Sequence, residues 1–139
     1  MSDSKFKKPL KVILDSNALF ASLEFKLDVF AEVERLLGRR VEFILLSPVK
    51  RELELLSAKD SPKTRREAAY ALQLTQKCLY VAVEEPDGIS IDDAILKTAK
   101  AWGSLVFTND KQLRRRLRDI SVPVIYVRQK SRLEIDGLM

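Results

Sequence analysis

The sequence predicts an α/β domain with a mostly parallel sheet. Three observations lead there. Short apolar runs at Lys11–Leu14 ("KVIL"), Val41–Leu46 ("VEFILL") and Ser104–Phe107 ("SLVF") have the length and composition of buried strands. Segments with helical apolar spacing lie between them. The runs end in turn or capping residues: Asp15-Ser16-Asn17, Ser47-Pro48 and Thr108-Asn109-Asp110.

The elements follow in order. The first strand is Lys11–Leu14, and Asp15-Ser16-Asn17 is read as the turn after it. Leu27–Leu37 has helical periodicity, and Gly38 is its C-terminal stop. Val41–Leu46 is the second strand. Ser47-Pro48 reads as an N-cap with proline at the first helical position, opening a helix to about Ala58. Ser61-Pro62 repeats the signal for a helix to about Cys78. Leu79–Val83 is β-rich, and its place in the main sheet is left open. Ser90 caps a helix that Gly103 ends. Ser104–Phe107 is a strand, Lys111–Asp119 a basic helix and Pro123–Val127 a final strand. No secondary structure is assigned to residues 128–139. Trp102, Phe20 and Phe25 are read as core residues.

The 139 residues suit a single domain, with its body at about 11–128 between a short basic N-terminal tail and a C-terminal tail. No apolar run approaches the roughly 20 residues of a membrane span. Met1–Lys8 is polar and basic with no apolar stretch behind it, so no secretory signal is expected. Cys78 is the only cysteine, which fits a reducing compartment. The expected setting is therefore cytoplasmic, with no membrane.

The chain has no histidine. That excludes Ser-His-Asp and Cys-His catalysis and His-ligated zinc. Its four glycines form no GxGxxG or GxxxxGK pattern, so dinucleotide and P-loop readings have no support. Carboxylates working through a hard cation are the chemistry that remains. The net charge is +5, and Lys111–Arg132 holds eight Lys/Arg against one acid, Asp119. Such a segment favours a polyanion such as nucleic acid, and a solvated helix and tail is the plain alternative.

In a parallel sheet, sites form at the carboxyl ends of strands. Asp15 directly follows the first strand, and Asp110 closely follows Ser104–Phe107. Either alone is most simply a helix cap or turn residue. In the helix after Ser90, at about 100° per residue, Ile91, Ile95, Ala99 and Trp102 share an arc of roughly 80°. Asp92 falls between Ala99 and Leu96, on the buried side. Asp93 falls nearly opposite, where it can complete a capping box with Ser90 and pair with Lys97. Asp92 has no such local partner, and a carboxylate beside an apolar stripe is costly unless compensated. In the helix after Ser47, Glu52 flanks the stripe of Val49, Leu53 and Leu56, whereas Glu54 faces solvent. Taken alone, Glu52 is most simply an edge salt bridge with a residue such as Arg51 or Lys50.

Asp15, Glu52, Asp92 and Asp110 nevertheless all belong to elements opening at one edge of the sheet. Converged carboxylates repel, and Mg²⁺ or Mn²⁺ relieves that repulsion in an all-oxygen site. Such a site readies water for in-line attack on phosphorus. The basic helix after Asp110 makes a phosphodiester the fitting substrate.

The segments "VILDSNALF", "VKRELELL", "DDAILKTA" and "VFTNDKQLRRRL", in this order over residues 11–128, resemble the successive motifs of PIN-domain proteins. The likeness is greatest to archaeal stand-alone members similar to the ribosomal-RNA-processing branch, with VapC-type toxins more distant. The resemblance implies a three-layer sandwich with a parallel sheet of four or five strands flanked by helices. It also implies a metal-dependent endoribonuclease using one or two Mg²⁺ or Mn²⁺ ions. Carried across motif by motif, its acids are Asp15, Glu52, Asp92 and Asp110. The seven-residue spacing from the key aspartate to the helix alanine selects Asp92 with Ala99 over Asp93. Ser16, Asn17, Thr108 and Asn109 become supporting polar residues, with Asp93 beside them.

Lys111, Arg114, Arg115 and Arg118 are candidates to hold the RNA backbone. The expected partner is RNA, single-stranded or structured ribosomal RNA, with room for a homodimer or a protein partner. Three rival readings remain at this point. One is a non-catalytic RNA-binding protein of ribosome assembly, another a VapC-like toxin ribonuclease held by an antitoxin, and the third a phosphatase with a carboxylate–metal site.

Overall fold

The computed structural model describes residues 8–59 and 61–137. The basic tail expected at the N-terminus lies, up to residue 7, outside the described residues.

The elements run β1 (Leu10–Leu14), α1 (Ser16–Glu24), α2 (Val29–Leu37), β2 (Val41–Leu46), α3 (Ser47–Leu56), α4 (Pro62–Leu74), a 3-10 turn (Thr75–Lys77), β3 (Leu79–Val81), α5 (Ile91–Trp102), β4 (Leu105–Phe107), α6 (Lys111–Asp119), β5 (Val124–Arg128) and β6 (Arg132–Asp136). The sheet order is β3-β2-β1-β4-β5-β6. Its first five strands are parallel, and β6 runs antiparallel to β5.

Strand alternation explains the layers. Val12 and Leu14 face one side of the sheet, where they pack with Leu19 of α1, Phe30 and Val33 of α2, Leu53 of α3 and Ala71 of α4. Ile13 faces the other side, with Val49 of α3, Ile95 and Ala99 of α5, and Leu113 and Leu117 of α6. The last three residues of β1, Val12, Ile13 and Leu14, are buried, as expected of a parallel strand covered on both faces. The helix limits are chemical. Asp28 caps α2 by accepting from Ala31 N, and Gly38 closes it in the left-handed region at φ 63°. Ser90 and Gly103 (φ 62°) do the same for α5.

The structure departs from the sequence reading at several places. Helix α1 starts immediately after β1, so Asp15 is its cap rather than a residue of an open turn. Ser47 is not a cap. It is the first residue of α3, and its Oγ accepts a 3.0 Å hydrogen bond from Val83 N. That bond fixes the chain leaving β3, which pairs with β2 as an edge strand. The segment after residue 128 forms β6, completing a β5–β6 hairpin and raising the sheet to six strands. Trp102 is 39% exposed, with Lys11 Nζ 4.9 Å from its ring centre, instead of being core. Phe20 and Phe25 are half-buried. No helix among the described residues is long and apolar enough to cross a membrane.

Candidate active site

The topology places the acids. β1 and β4 are adjacent and parallel, with Leu14 opposite Phe107, so residues just beyond them emerge side by side. Asp15 N donates to Phe107 O at 3.0 Å, which extends the ladder to the edge of the site. β2 flanks β1 on its other side and delivers Glu52 in the second turn of α3. Asp92 lies in the first turn of α5.

Asp15 is 5% exposed. Its Oδ1 accepts from Ser16 N at 2.8 Å, capping α1. Its Oδ2 accepts from Asn17 Nδ2 at 3.1 Å and from Thr108 Oγ1 at 2.7 Å. Burial pushes this carboxyl up to about 6. The bonds from Thr108 and Ser16 act in the opposite direction, and the negative charges of Asp92 and Glu52 add to the rise.

The supporting residues form one network. Thr108 is fully buried, and its Oγ1 also accepts from Asp110 N at 3.1 Å. Asn17 Oδ1 accepts from Asn109 N at 2.8 Å. Asn109 Oδ1 accepts from Val127 N at 2.8 Å, which links the motif after β4 to the end of β5. Thus Ser16, Asn17, Thr108 and Asn109 tie the ends of three neighbouring strands together around Asp15.

Asp110 caps α6, its Oδ1 accepting from Gln112 N and Leu113 N at 2.8 and 3.2 Å. The cap reading of Asp15 and Asp110 therefore holds, and it does not conflict with a site, because both carboxylates stay at the same sheet edge. Asp92 is raised by burial first and then by the charge of Asp110; Arg116 opposes this, while Asp93 and Glu52 add to it. Glu52 is half-buried and Glu54 exposed, as the helical spacing requires. The salt bridge that would have explained Glu52 is made elsewhere: Arg51 pairs with Glu85 at 2.6 Å.

Asp93 differs from Asp92. Ser90 Oγ accepts from Asp93 N at 3.0 Å, and hydrogen bonds from Ser90 to its carboxylate complete the capping box. Its long-range partner is Arg116 of α6 at 2.6 Å, not Lys97. The Arg116 guanidinium, followed by Ser90, holds the Asp93 carboxyl below its ordinary range. Sequence reasoning missed Arg116, since nothing in the local spacing shows that α5 and α6 pack side by side.

Among the described residues, no three acids are already drawn together tightly enough to ligate an ion. The four candidates act on one another through charge. Asp15 is influenced by Asp92 and Glu52, and Asp92 by Asp110 and Glu52. The donor set is all oxygen and anionic, with Asp15 desolvated, so its chemistry fits a hard divalent cation.

The basic helix divides into two groups. Arg114 Nε bonds Asp136 Oδ2 of β6 at 2.8 Å, and its guanidinium lies 3.7 Å from the Tyr126 ring centre. Arg118 Nε lies 3.4 Å from Asp136 Oδ1, and its Nη1 donates to Val122 O. These arginines fasten β6 to α6 and keep about a third of their side-chain surface exposed. Lys111 and Arg115 are exposed.

A family model described as a PIN like domain matches residues 12–130. The chain belongs to the PIN-like domain family. It is 35% identical over 130 residues to the protein named Ribonuclease VapC4 from Methanocaldococcus jannaschii, covering 93% of this chain and 98% of that one. It is 29% identical to Ribonuclease VapC9 from Archaeoglobus fulgidus, covering 91% and 89%. Among solved structures, the PIN domain endonuclease Utp24 superposes with a TM-score of 0.80 at 25% identity, over 94% of both chains. The VapBC2 structure from Rickettsia felis, at 15% identity and a TM-score of 0.62, shares the fold. These relatives support nuclease activity for this PIN-domain chain.

Proposed function

We propose that this PIN-domain protein is a divalent-metal-dependent endoribonuclease acting in RNA processing. The observation that supports this best is the buried Asp15 carboxyl, raised to about 6 and charge-coupled to Asp92 and Glu52 at the carboxyl edge of the sheet. A desolvated acid beside like charges is costly to ionise, and binding Mg²⁺ or Mn²⁺ recovers that cost. Asp15, Asp92 and Asp110 would hold the ion, with Glu52 as a further ligand or as the group that orients water. The ion supplies Lewis-acid polarisation of the phosphodiester and a readily deprotonated water.

The remaining roles belong to the chain's own residues. Thr108, Asn17 and Ser16 hold Asp15 in a single orientation, so little reorganisation is needed when the ion binds. Asp110 commits its Oδ1 to the cap of α6, and its Oδ2 would be the oxygen offered to the ion. Lys111 and Arg115, exposed at the start and middle of α6, suit contacts with the RNA backbone. Asp93 is occupied by Ser90 and Arg116, which leaves Asp92 as the member of the pair able to serve the site.

The test is cleavage of single-stranded RNA with Mn²⁺, with Mg²⁺ and with EDTA. Asp15→Asn and Asp92→Asn should abolish cleavage, whereas Asp93→Asn should retain it. Full activity in Asp92→Asn, or activity in EDTA, would overturn the proposal. The relatives named ribonucleases make RNA the first substrate to try.

A further inference from the structure

The β5–β6 hairpin ends at the same sheet edge as the acids. β5 is parallel to β4 and β1, so its C-terminal end, Arg128, lies at the same end of the sheet as Asp110 and Asp15. Adjacent strands lie about 4.8 Å apart, so β5 runs about 10 Å from β1 across the sheet, and Arg128 overhangs by three residues, about 10 Å, beyond Ile125, which is level with Leu14. The Val127 N to Asn109 Oδ1 bond joins the base of the hairpin tip to the residue preceding Asp110.

The tip contains Arg128, Lys130 and Arg132, all exposed, with no acid from 128 to 132. It is built against local preference in two ways. Gln129 and Lys130, the central residues of a turn closed by Ser131 N to Arg128 O, have φ of 54° and 61°. Glycine or asparagine is the ordinary choice at both positions, and each other residue there sacrifices stability. In addition, Arg128 pairs directly opposite Arg132, so two like charges face each other on one side of the sheet. Glu134 offsets them only loosely, at 3.4 and 3.3 Å. Locally unfavourable features persist where the fold has a use for them.

The alternation of β5 and β6 fixes which way these cations face. Arg128, Tyr126, Arg132, Glu134 and Asp136 share one side of the hairpin, and Arg114 of α6 covers Tyr126 and bonds Asp136 on that side. Arg128 and Arg132 therefore project on the α6 side of the sheet, the layer in which Lys111 and Arg115 are exposed. Arg114 and Arg118, which the sequence suggests as RNA contacts, also hold the hairpin in position.

We propose that the β5–β6 tip, through Arg128, Lys130 and Arg132, grips the phosphate backbone of single-stranded RNA entering the acidic site. This rests on the ribonuclease reading and adds a substrate-binding element to it. The hairpin positions RNA and takes no part in bond breaking. Truncating the cations therefore changes affinity and KM and leaves kcat unaltered.

The test compares wild-type protein with Arg128→Thr/Lys130→Asn/Arg132→Thr, substitutions that suit strand and turn. The control is Arg39→Ser/Arg40→Ser/Lys77→Ser, an equal charge change at residues just before β2 and β3, on the opposite edge of the sheet. Binding of a fluorescein-labelled single-stranded RNA is measured in EDTA across a salt series, and cleavage is measured with Mn²⁺. Each phosphate contact contributes about 0.7 to the salt slope of single-strand binding, so losing three should lower the slope by about 2. KM should rise at least about tenfold with kcat unchanged, and the control should match wild type. A hairpin variant with wild-type slope and KM overturns the hairpin grip, and active wild-type cleavage then leaves the nuclease reading standing. Hairpin-dependent binding without any wild-type cleavage supports the grip and overturns the nuclease reading. Absence of RNA binding by wild type overturns both.

Discussion

Thr108 Oγ1 donates a 2.7 Å hydrogen bond to Asp15 Oδ2, joining the ends of β4 and β1 across 93 residues of sequence. The same hydroxyl accepts from Asp110 N, so one buried oxygen orients both aspartates. Thr108→Val keeps the shape and removes both bonds. Asp15 then loses the interaction that most opposes its upward shift, so its carboxyl should rise further above about 6. The acid limb of the pH–rate profile should move to higher pH, and stability should fall by about 1–3 kcal/mol for the buried group left short of a partner. An unmoved acid limb would show that Thr108 does not tune Asp15.

The sign of the pH dependence follows from the same carboxyl. Asp15 goes from 3.8 to about 6 on folding, so between these values the folded chain binds more protons than the unfolded one. The stabilising contribution is full below pH 3.8 and is lost as pH rises through about 6. Asp92 is also raised and acts in the same direction. A shift of about two units corresponds to about 3 kcal/mol. Urea denaturation in EDTA should show stability falling across this window, and Asp15→Asn should flatten the fall. A metal-free wild type whose stability climbs from pH 4 to 6 would contradict the raised carboxyl.

Much of this architecture was legible because local and global preferences agree. β1, β2 and β4 are apolar runs that stay apolar because both faces of the sheet are covered. The contrast between Asp92 and Asp93 could be read from helical angle alone, as could that between Glu52 and Glu54. Other features required tertiary partners. The apolar face of α1 follows Asp15-Ser16-Asn17, which reads as a turn until Asp15 is seen to cap it. The hairpin was concealed by its turn, since Gln129-Lys130 carries none of the glycine or asparagine that announces one. Its second strand does show the alternation Arg132-Leu133-Glu134-Ile135-Asp136, the one signal that could have revealed it. The fastening of Arg114 and Arg118 to Asp136 was invisible for the same reason.

Metal addition should divide the two neighbouring aspartates. With the donor set ionised, Mn²⁺ at about 100 times its dissociation constant should stabilise the protein by about 2.7 kcal/mol. The gain should be larger above pH 6 than near pH 5, because protons compete with the ion for Asp15. Asp92→Asn should lose most of this stabilisation, and Asp93→Asn should keep it. Thermal melts with and without Mn²⁺ measure it. Equal metal shifts in both variants would remove Asp92 from the ligand set.

Gly137 offers an independent check on how the hairpin is held. Its φ is 112°, and a Cβ there would clash with the Arg118 guanidinium. Gly137→Ala therefore strains the backbone and displaces the guanidinium that supports Asp136. Gly88, at φ 84° with open space where a Cβ would sit, provides a comparison with backbone strain and no displaced neighbour. Both substitutions should destabilise, by about 1–3 kcal/mol for an alanine held in this region, and Gly137→Ala should cost more. In an Arg118→Ala background the excess at Gly137 should vanish, because the displaced group is gone. Urea denaturation of the single and double variants measures the coupling. An excess that survives Arg118→Ala would mean that the arginine is not what Gly137 makes room for.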